Sequence, residues 1–309
     1  MNPMREALAD YLKVRRALGY KLERPEKLLD QFLTYVENVG EQHLRIETMI
    51  AWATLPRPSD SSMWPSYRLC VVRGFARHLH AIDPATEVPP MDLIPSRRCR
   101  ATPYLYSDAD LTALISAAGA LRKPHRVATY RTLIGLLAVT GMRVGEAIAL
   151  DRSDVNIQYG LLTIRKSKFG KSRELPLHPS TVDALHKYVC RHDRPHSATN
   201  SLAFFVSTAG TRLLYCNVQW TFQQLVRRAG LKPRSAACRP RLHSLRHSFA
   251  VRSVLDWYRN GDNVTARLPL LSTYLGHVDP GGTYWYLSAA PELLQIAGDR
   301  LQHHLGDAL

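Results

Sequence analysis

Four short stretches of this 309-residue chain carry side chains that can hold an anion or move a proton. In TGMRVGEAIAL, Arg143 follows a glycine that ends one helix and stands at the start of the next. A guanidinium there lies beside helical N–H groups that already favour an anion such as phosphate. Glu146, three residues on, can steady it as a helical i, i+3 pair, and an ordinary surface ion pair is the competing reading. In RLHSLRHSFA, His243 and Arg246 are three residues apart and share a helical face, where one can transfer a proton and the other fix a charge. The chain holds 13 histidines, so this spacing alone can arise by chance. His247 lies round the helix from Arg246 and is expected to pack or cap rather than react.

The turn KSKFGKS sets Lys166, Lys168 and Lys171 at a hairpin tip, where lysine can reach a nucleic-acid groove, donate a proton, or simply be solvated. In LGHVDPGGTYWYLSAAPELL, His277 is followed nine residues later by Tyr286. A free phenol has a pKa of about 10, so a nucleophilic tyrosine needs cations to stabilise its oxyanion. The arginines can supply them.

The elements that must position these groups are legible from periodicity. Residues 1 to about 82 read as amphipathic helices over ALADYLKVRRALGY, KLLDQFLTYVENVG, RIETMIAWATL and YRLCVVRGFARHLHAI. The last carries Arg68, Arg73, Arg77 and His78, expected to form a solvated face or to meet phosphates. In DPATEVPPMDLIPSRRCRATP five prolines exclude regular structure, while Arg97, Arg98 and Arg100 concentrate charge. Helical patterning restarts at Ser107, an N-cap followed by acidic residues, and VATYRTLIGLLAVTG ends at Gly141. LLTIR and RELPL read as paired strands, and helices follow over STVDALHKYV, VQWTFQQLVRRAG, RLHSLRHSFAVRSVLDWY, RLPLLSTYLG and from about Thr283. The expected fold is mainly α with a small β-hairpin or sheet: a helical domain over 1–96, a basic linker over 97–106, and a mixed α+β domain with a C-terminal helix over 107–309.

In chain order, Arg, Lys, His-x-x-Arg, Gly-His, Tyr, these segments resemble the catalytic half of the tyrosine recombinase or phage integrase family, which includes the Xer-type and lambda-type enzymes. TGMRVGEA resembles its T-G-x-R-x-x-E box, KFGKSRELPL its hairpin lysine box, LHSLRHSFA its H-x-L-R-H box, and LGH with the tyrosine nine residues on its final box. The resemblance covers roughly residues 105–300, and the N-terminal half is similar in layout to the family's helical core-binding domain. It implies that Arg143 and Arg246 bind the non-bridging oxygens of a scissile phosphate. Lys168 is then the general acid for the leaving 5′-oxygen, with Lys166 a substitute; His243 assists proton transfer, His277 donates to the phosphate, and Tyr286 attacks to form a 3′-phosphotyrosyl link. The loop before Tyr286 departs from the family in Pro280, Gly281 and Gly282, and holds a rival nucleophile, Tyr284.

The implied function is a site-specific recombinase acting on double-stranded DNA at paired sites, as a homotetramer, for integration, excision or transposition of a mobile element. The YWYLSAAPELL ending is similar to recombinases of transposons and integrative elements. Two alternatives share the resemblance: a type IB topoisomerase that only relaxes DNA, and a DNA-binding relative without catalysis. The filled catalytic positions count against the second, and the short helical N-terminal half against the first. Leu293, Leu294, Ile296 and Leu301 form an apolar stripe that docks either on a neighbouring protomer or on its own domain.

Bulk properties agree with a polyanionic partner. Lys and Arg total 41 against 26 acidic residues, a net charge of +15. No apolar run approaches the roughly 18 residues of a membrane span, and the first residues lack a signal-peptide core, so a cytoplasmic protein with no membrane partner is expected. No nucleotide-binding loop or acidic metal cluster stands in the sequence, and no cofactor or metal is expected. Cys70, Cys99, Cys190, Cys216 and Cys238 are odd in number and scattered, expected as packed or inert thiols.

Overall fold

The computed structural model describes residues 3–56, 63–94, 102–165, 170–195, 201–277 and 281–288, with Tyr286, Leu287 and Ser288 by backbone alone. The chain divides into two compact units, residues 1–100 and 101–309. The first is built from α1 (Pro3–Ala17), α2 (Glu23–Val39), α3 (Ile46–Thr54) and α4 (Trp64–His80). Leu29, Phe32, Leu33 and Val36 recur at three- and four-residue spacing on α2 and bury one face against Met49 and Trp52 of α3 and Val72 and Phe75 of α4. Gly40 ends α2 in the left-handed conformation, φ 77°.

Arg68 and Arg73 sit differently from either expectation, since both are buried inside this unit. Arg68 donates from Nη1 to the carbonyls of Trp52, Ala53 and Leu55, which close α3, and lies over the Trp52 ring. These carbonyls stand at the end of the helix, where Trp52 O also accepts from the Leu55 amide, and a cation suits the negative end of the dipole. Arg73 donates to Pro89 O at 2.8 Å and Pro90 O at 2.7 Å. It thereby ties the proline-rich stretch to α4, and Ile94 packs on the same core. Arg77 is exposed, and His78 packs on Tyr11.

The second unit contains α5 (Asp108–Ala118), α6 (Pro124–Thr140), α7 (Val144–Ala149), β1 (Val155–Asn156), β2 (Leu161–Ile164), β3 (Arg173–Pro176), α8 (Pro179–Val189), α9 (Tyr215–Arg228), α10 (Leu242–Arg259), α11 (Val264–Leu275) and α12 (Gly281–Ser288). Ser107 caps α5 through a reciprocal pair of hydrogen bonds with Asp110. The strands form one antiparallel sheet in the order β1-β2-β3, with Leu162 opposite Leu175 and Ile164 opposite Arg173. The short strand β1 extends the expected hairpin. α6 buries Tyr130, Leu133, Ile134, Leu136 and Leu137 and is packed by α5, α8 and α10. Tyr104 and Tyr106, which the sequence reading puts in the linker, are buried in this core, and the Tyr106 amide donates to Ser248 Oγ at 2.7 Å.

No helix of the described residues is long and apolar enough to cross a membrane. Cys238 is buried, whereas Cys70, Cys190 and Cys216 are exposed thiols rather than packed ones. The apolar stripe after α12 lies outside the described residues.

The burial of Arg68 generates a test. Arg68→Ala leaves α3 carbonyls without their donor and is expected to destabilise the protein by about 2 kcal/mol, read as a lower unfolding midpoint. A phosphate-contacting Arg68 would instead leave the midpoint unchanged and reduce the salt dependence of DNA binding.

Candidate active site

α10 buries Leu242 and Leu245 in the large core of the second unit and Ala250, Val251, Val254 and Leu255 in a smaller one shared with α11. Arg246 lies between these two sets and is only 2% exposed. It donates from Nη1 to Gly141 O at 3.0 Å and from Nη2 to Leu275 O at 2.7 Å. These bonds fix the plane of the guanidinium fork.

Gly141 and Gly276 close α6 and α11 in the left-handed conformation, φ 59° and 68°. Neither tolerates a side chain. A β-carbon at 141 would enter the Phe249 ring, and one at 276 would stand 2.7 Å from Nη1 of Arg173.

Arg143 is the residue from which α7 starts. Its backbone amide donates to Glu146 Oε2 at 2.9 Å, its Nη1 to Glu146 Oε1 at 2.7 Å, and its Nη2 to Gly276 O at 3.0 Å. Arg173, at the start of β3, donates through Nη1 and Nη2 to the same carboxylate at 3.1 and 2.8 Å and through Nε to Tyr274 O at 2.8 Å. The successive carbonyls of Tyr274, Leu275 and Gly276 thus receive Arg173, Arg246 and Arg143 in turn. These are the C-terminal carbonyls of α11, orphaned by the helix and at its negative end. Burial works to raise the Glu146 carboxyl, but the hydrogen bonds from Arg173 and Arg143 outweigh it and hold the group below its usual range. Three guanidiniums against one carboxylate leave an excess of positive charge, and Arg143 is the most open of the three to solvent, with its side chain 25% exposed.

Three imidazoles adjoin the cluster. His277 is lowered to about 4 by loss of hydration and then by Arg246 and Arg143. His247 is lowered to about 3 by burial, then by His243 and Arg246. His243 is lowered by the same loss of hydration and by Arg246 and Arg143, although the residue as a whole is exposed. Its ring meets His247 edge-on, with centroids 4.6 Å apart. Near neutral pH all three are uncharged beside the arginines, and an arriving phosphate would raise their affinity for protons.

Arg143, His243, Arg246 and His277, singled out from sequence, therefore share one electrostatic neighbourhood. Tyr286 lies on α12, with only its backbone described, and Tyr284 on the same helix is exposed. Lys166 and Lys168 lie outside the described residues. Arg173 and Thr283 join the site without having been singled out. The signal for Arg173 was a cation at the strand end of the hairpin box; Thr283 gave none beyond its place three residues before Tyr286. A recess of about 650 Å³ lined by Arg122, Lys123, Arg126, Arg212 and Trp220 shares no residue with this cluster and forms a second basic surface.

The pattern of the Phage integrase family matches residues 107–292. The integrase/recombinase y4rB of Sinorhizobium fredii is 41% identical over 316 residues, covering 99% of both chains. A second protein of that organism, the integrase/recombinase y4rE, is 36% identical and covers 96% of this chain and 94% of its own. Among solved structures, the Tn1549 transposon integrase in complex with a circular intermediate DNA aligns with a TM-score of 0.64 at 15% identity, covering 96% of this chain and 99% of that one. The XerA recombinase aligns with a TM-score of 0.52 at 23% identity over 96% and 98%. The chain belongs to the phage integrase family, the tyrosine recombinases, enzymes that break and rejoin DNA.

The lowered histidines fix the direction of a pH effect. Above about pH 6.5 folded and unfolded chains carry these rings alike; below it the unfolded chain binds more protons, so stability falls as pH falls. The unfolding midpoint is expected to drop between about pH 7 and about pH 5 and to drop less in His247→Phe, which keeps a ring without a titrating group. Equal slopes for the two proteins would contradict the assignment.

Proposed function

We propose that this recombinase cleaves DNA by attack of Tyr286 on a scissile phosphate, forms a 3′-phosphotyrosyl link, and rejoins the strand to a new partner during integration, excision or transposition of a mobile element. The observation that carries the reading is the convergence of Arg143, Arg173 and Arg246 on the last carbonyls of α11, with His243 and His277 beside them. This is a fixed, positively charged cradle for one phosphate.

The chemistry follows from charge and position. In-line attack makes the Tyr286 O–P bond and breaks the bond from phosphorus to the 5′-oxygen, which takes its proton from Lys168. Arg143 and Arg246 neutralise the non-bridging oxygens through their guanidinium forks, a task that a metal ion performs in other phosphoryl-transfer enzymes. His243 accepts the phenol proton and His277 donates to a phosphate oxygen. The covalent link conserves the energy of the phosphodiester, so the reverse attack by a 5′-hydroxyl closes the strand without a nucleotide cofactor. Positions 283 and 286 share a face of α12, whereas 284 lies about 200° round from 286; Tyr284 is 49% exposed and Thr283 is buried.

Support for the DNA partner comes from the +15 charge and the second basic recess. Support for the mobile-element role comes from the relatives named integrase/recombinase and from the fold shared with a transposon integrase. The working form is a homotetramer on two paired sites.

The test is a nicked duplex that traps the covalent intermediate, made from sequences flanking the protein's own coding region. Wild type and Tyr284→Phe are expected to form a detergent-stable adduct. Tyr286→Phe is expected to bind the duplex and form none. An adduct that survives Tyr286→Phe and disappears with Tyr284→Phe reassigns the nucleophile, and one that survives both removes the phosphotyrosyl mechanism.

A further inference from the structure

α12 touches the histidines of the site as well as carrying the nucleophile position. Thr283, only 1% exposed, places Oγ1 at 2.7 Å from Nδ1 of His277. The first turn of the helix lies against the same ring, since a β-carbon at Gly282 would stand 3.7 Å from Cγ and Nδ1 of His277. Two residues after Thr283, Trp285 packs on His247 with ring centroids 5.1 Å apart, and His247 packs on His243. The helix therefore meets one functional imidazole directly and a second through an intervening ring.

A neutral imidazole has one donor and one acceptor, and the hydrogen bond at one nitrogen decides where the proton sits. The Thr283 hydroxyl has a single hydrogen and is buried. Among the described residues its hydrogen-bond partner is Nδ1 of His277. A hydroxyl that donates to Nδ1 leaves the ring proton on Nε2.

We propose that Thr283 is a positioning residue that holds His277 in the tautomer with its proton on Nε2, so that docking of α12 both delivers Tyr286 and arms His277 to donate to the phosphate. The inference rests on the phosphotyrosyl reading above. It has a direct consequence for control of the enzyme: a protomer whose α12 is undocked lacks its nucleophile and also its correctly protonated histidine, so the two cannot be switched separately. The depressed affinity of His277 for protons strengthens the point, because a ring that is neutral at physiological pH donates only from the nitrogen its tautomer selects.

The experiment uses the full chain as wild type, Thr283→Val and Thr283→Ser. Nitrogen-15 chemical shifts of the His277 ring are recorded without DNA, and adduct formation is timed on the nicked duplex at saturating enzyme. Wild type and Thr283→Ser are expected to show the Nε2–H tautomer and similar rates. Thr283→Val is expected to lose the single tautomer and to slow adduct formation by about 10- to 100-fold, the usual scale for removing an orienting partner, with DNA affinity kept. An Nδ1–H tautomer in wild type overturns the proposal, as does a wild-type rate in Thr283→Val or a Thr283→Ser no better than Thr283→Val. If wild type forms no adduct, the phosphotyrosyl reading fails, while the tautomer measurement, which needs no DNA, still decides this one.

Discussion

Like charges repel, and the second unit is organised around overcoming that repulsion among Arg143, Arg173 and Arg246. The Glu146 carboxylate, with its side chain 6% exposed, binds two of the three, and three successive carbonyls at the end of α11 bind one each. Removing a buried carboxylate from such an arrangement leaves uncompensated cations, which costs far more than an exposed ion pair contributes. The surrounding fold serves this geometry. Gly141 and Gly276 let two helices stop in conformations that bring backbone against guanidinium, and α10 spans two cores so that Arg246 is fixed from both sides.

Burial and, after it, the same cluster set the protonation of the neighbouring histidines. Arginines keep their charge at any physiological pH, so burial does not switch them off as it does lysine. The histidines beside them are kept neutral by loss of hydration first and by the neighbouring positive charge second, so the site holds fixed cations and neutral imidazoles. A phosphate held by the arginines would raise the affinity of these rings for protons.

Much of this was legible in the sequence because it is local. Helical periodicity outlines α1–α4, Ser107 and Gly141 mark helix ends through their own capping chemistry, and His243 and Arg246 share a face by spacing alone. The Arg143–Glu146 pair was also readable, being three residues apart. What escaped depends on contacts between segments far apart in the chain. Arg173 reaches Tyr274 across 101 positions, and nothing in the RELPL strand reveals that partner. Arg68 and Arg73 look like ordinary surface cations until α3 and the Pro89–Pro90 carbonyls are folded against them. Tyr104 and Tyr106 follow a proline-rich basic stretch and read as linker, yet both rings are buried in the core of the second unit, Tyr106 against Phe222, and the Tyr106 amide reaches Ser248 Oγ across 142 positions.

The claim that the arginines act as geometric forks, rather than as charge alone, is tested most directly by the rate of adduct formation on the nicked duplex with Arg143→Lys. An ammonium keeps the charge but cannot span two phosphate oxygens or hold the Glu146 and Gly276 bonds together. The predicted result is a rate about 10²-fold or more below wild type and close to that of Arg143→Ala, with DNA binding retained. A Lys variant that cleaves at nearly the wild-type rate would contradict the account.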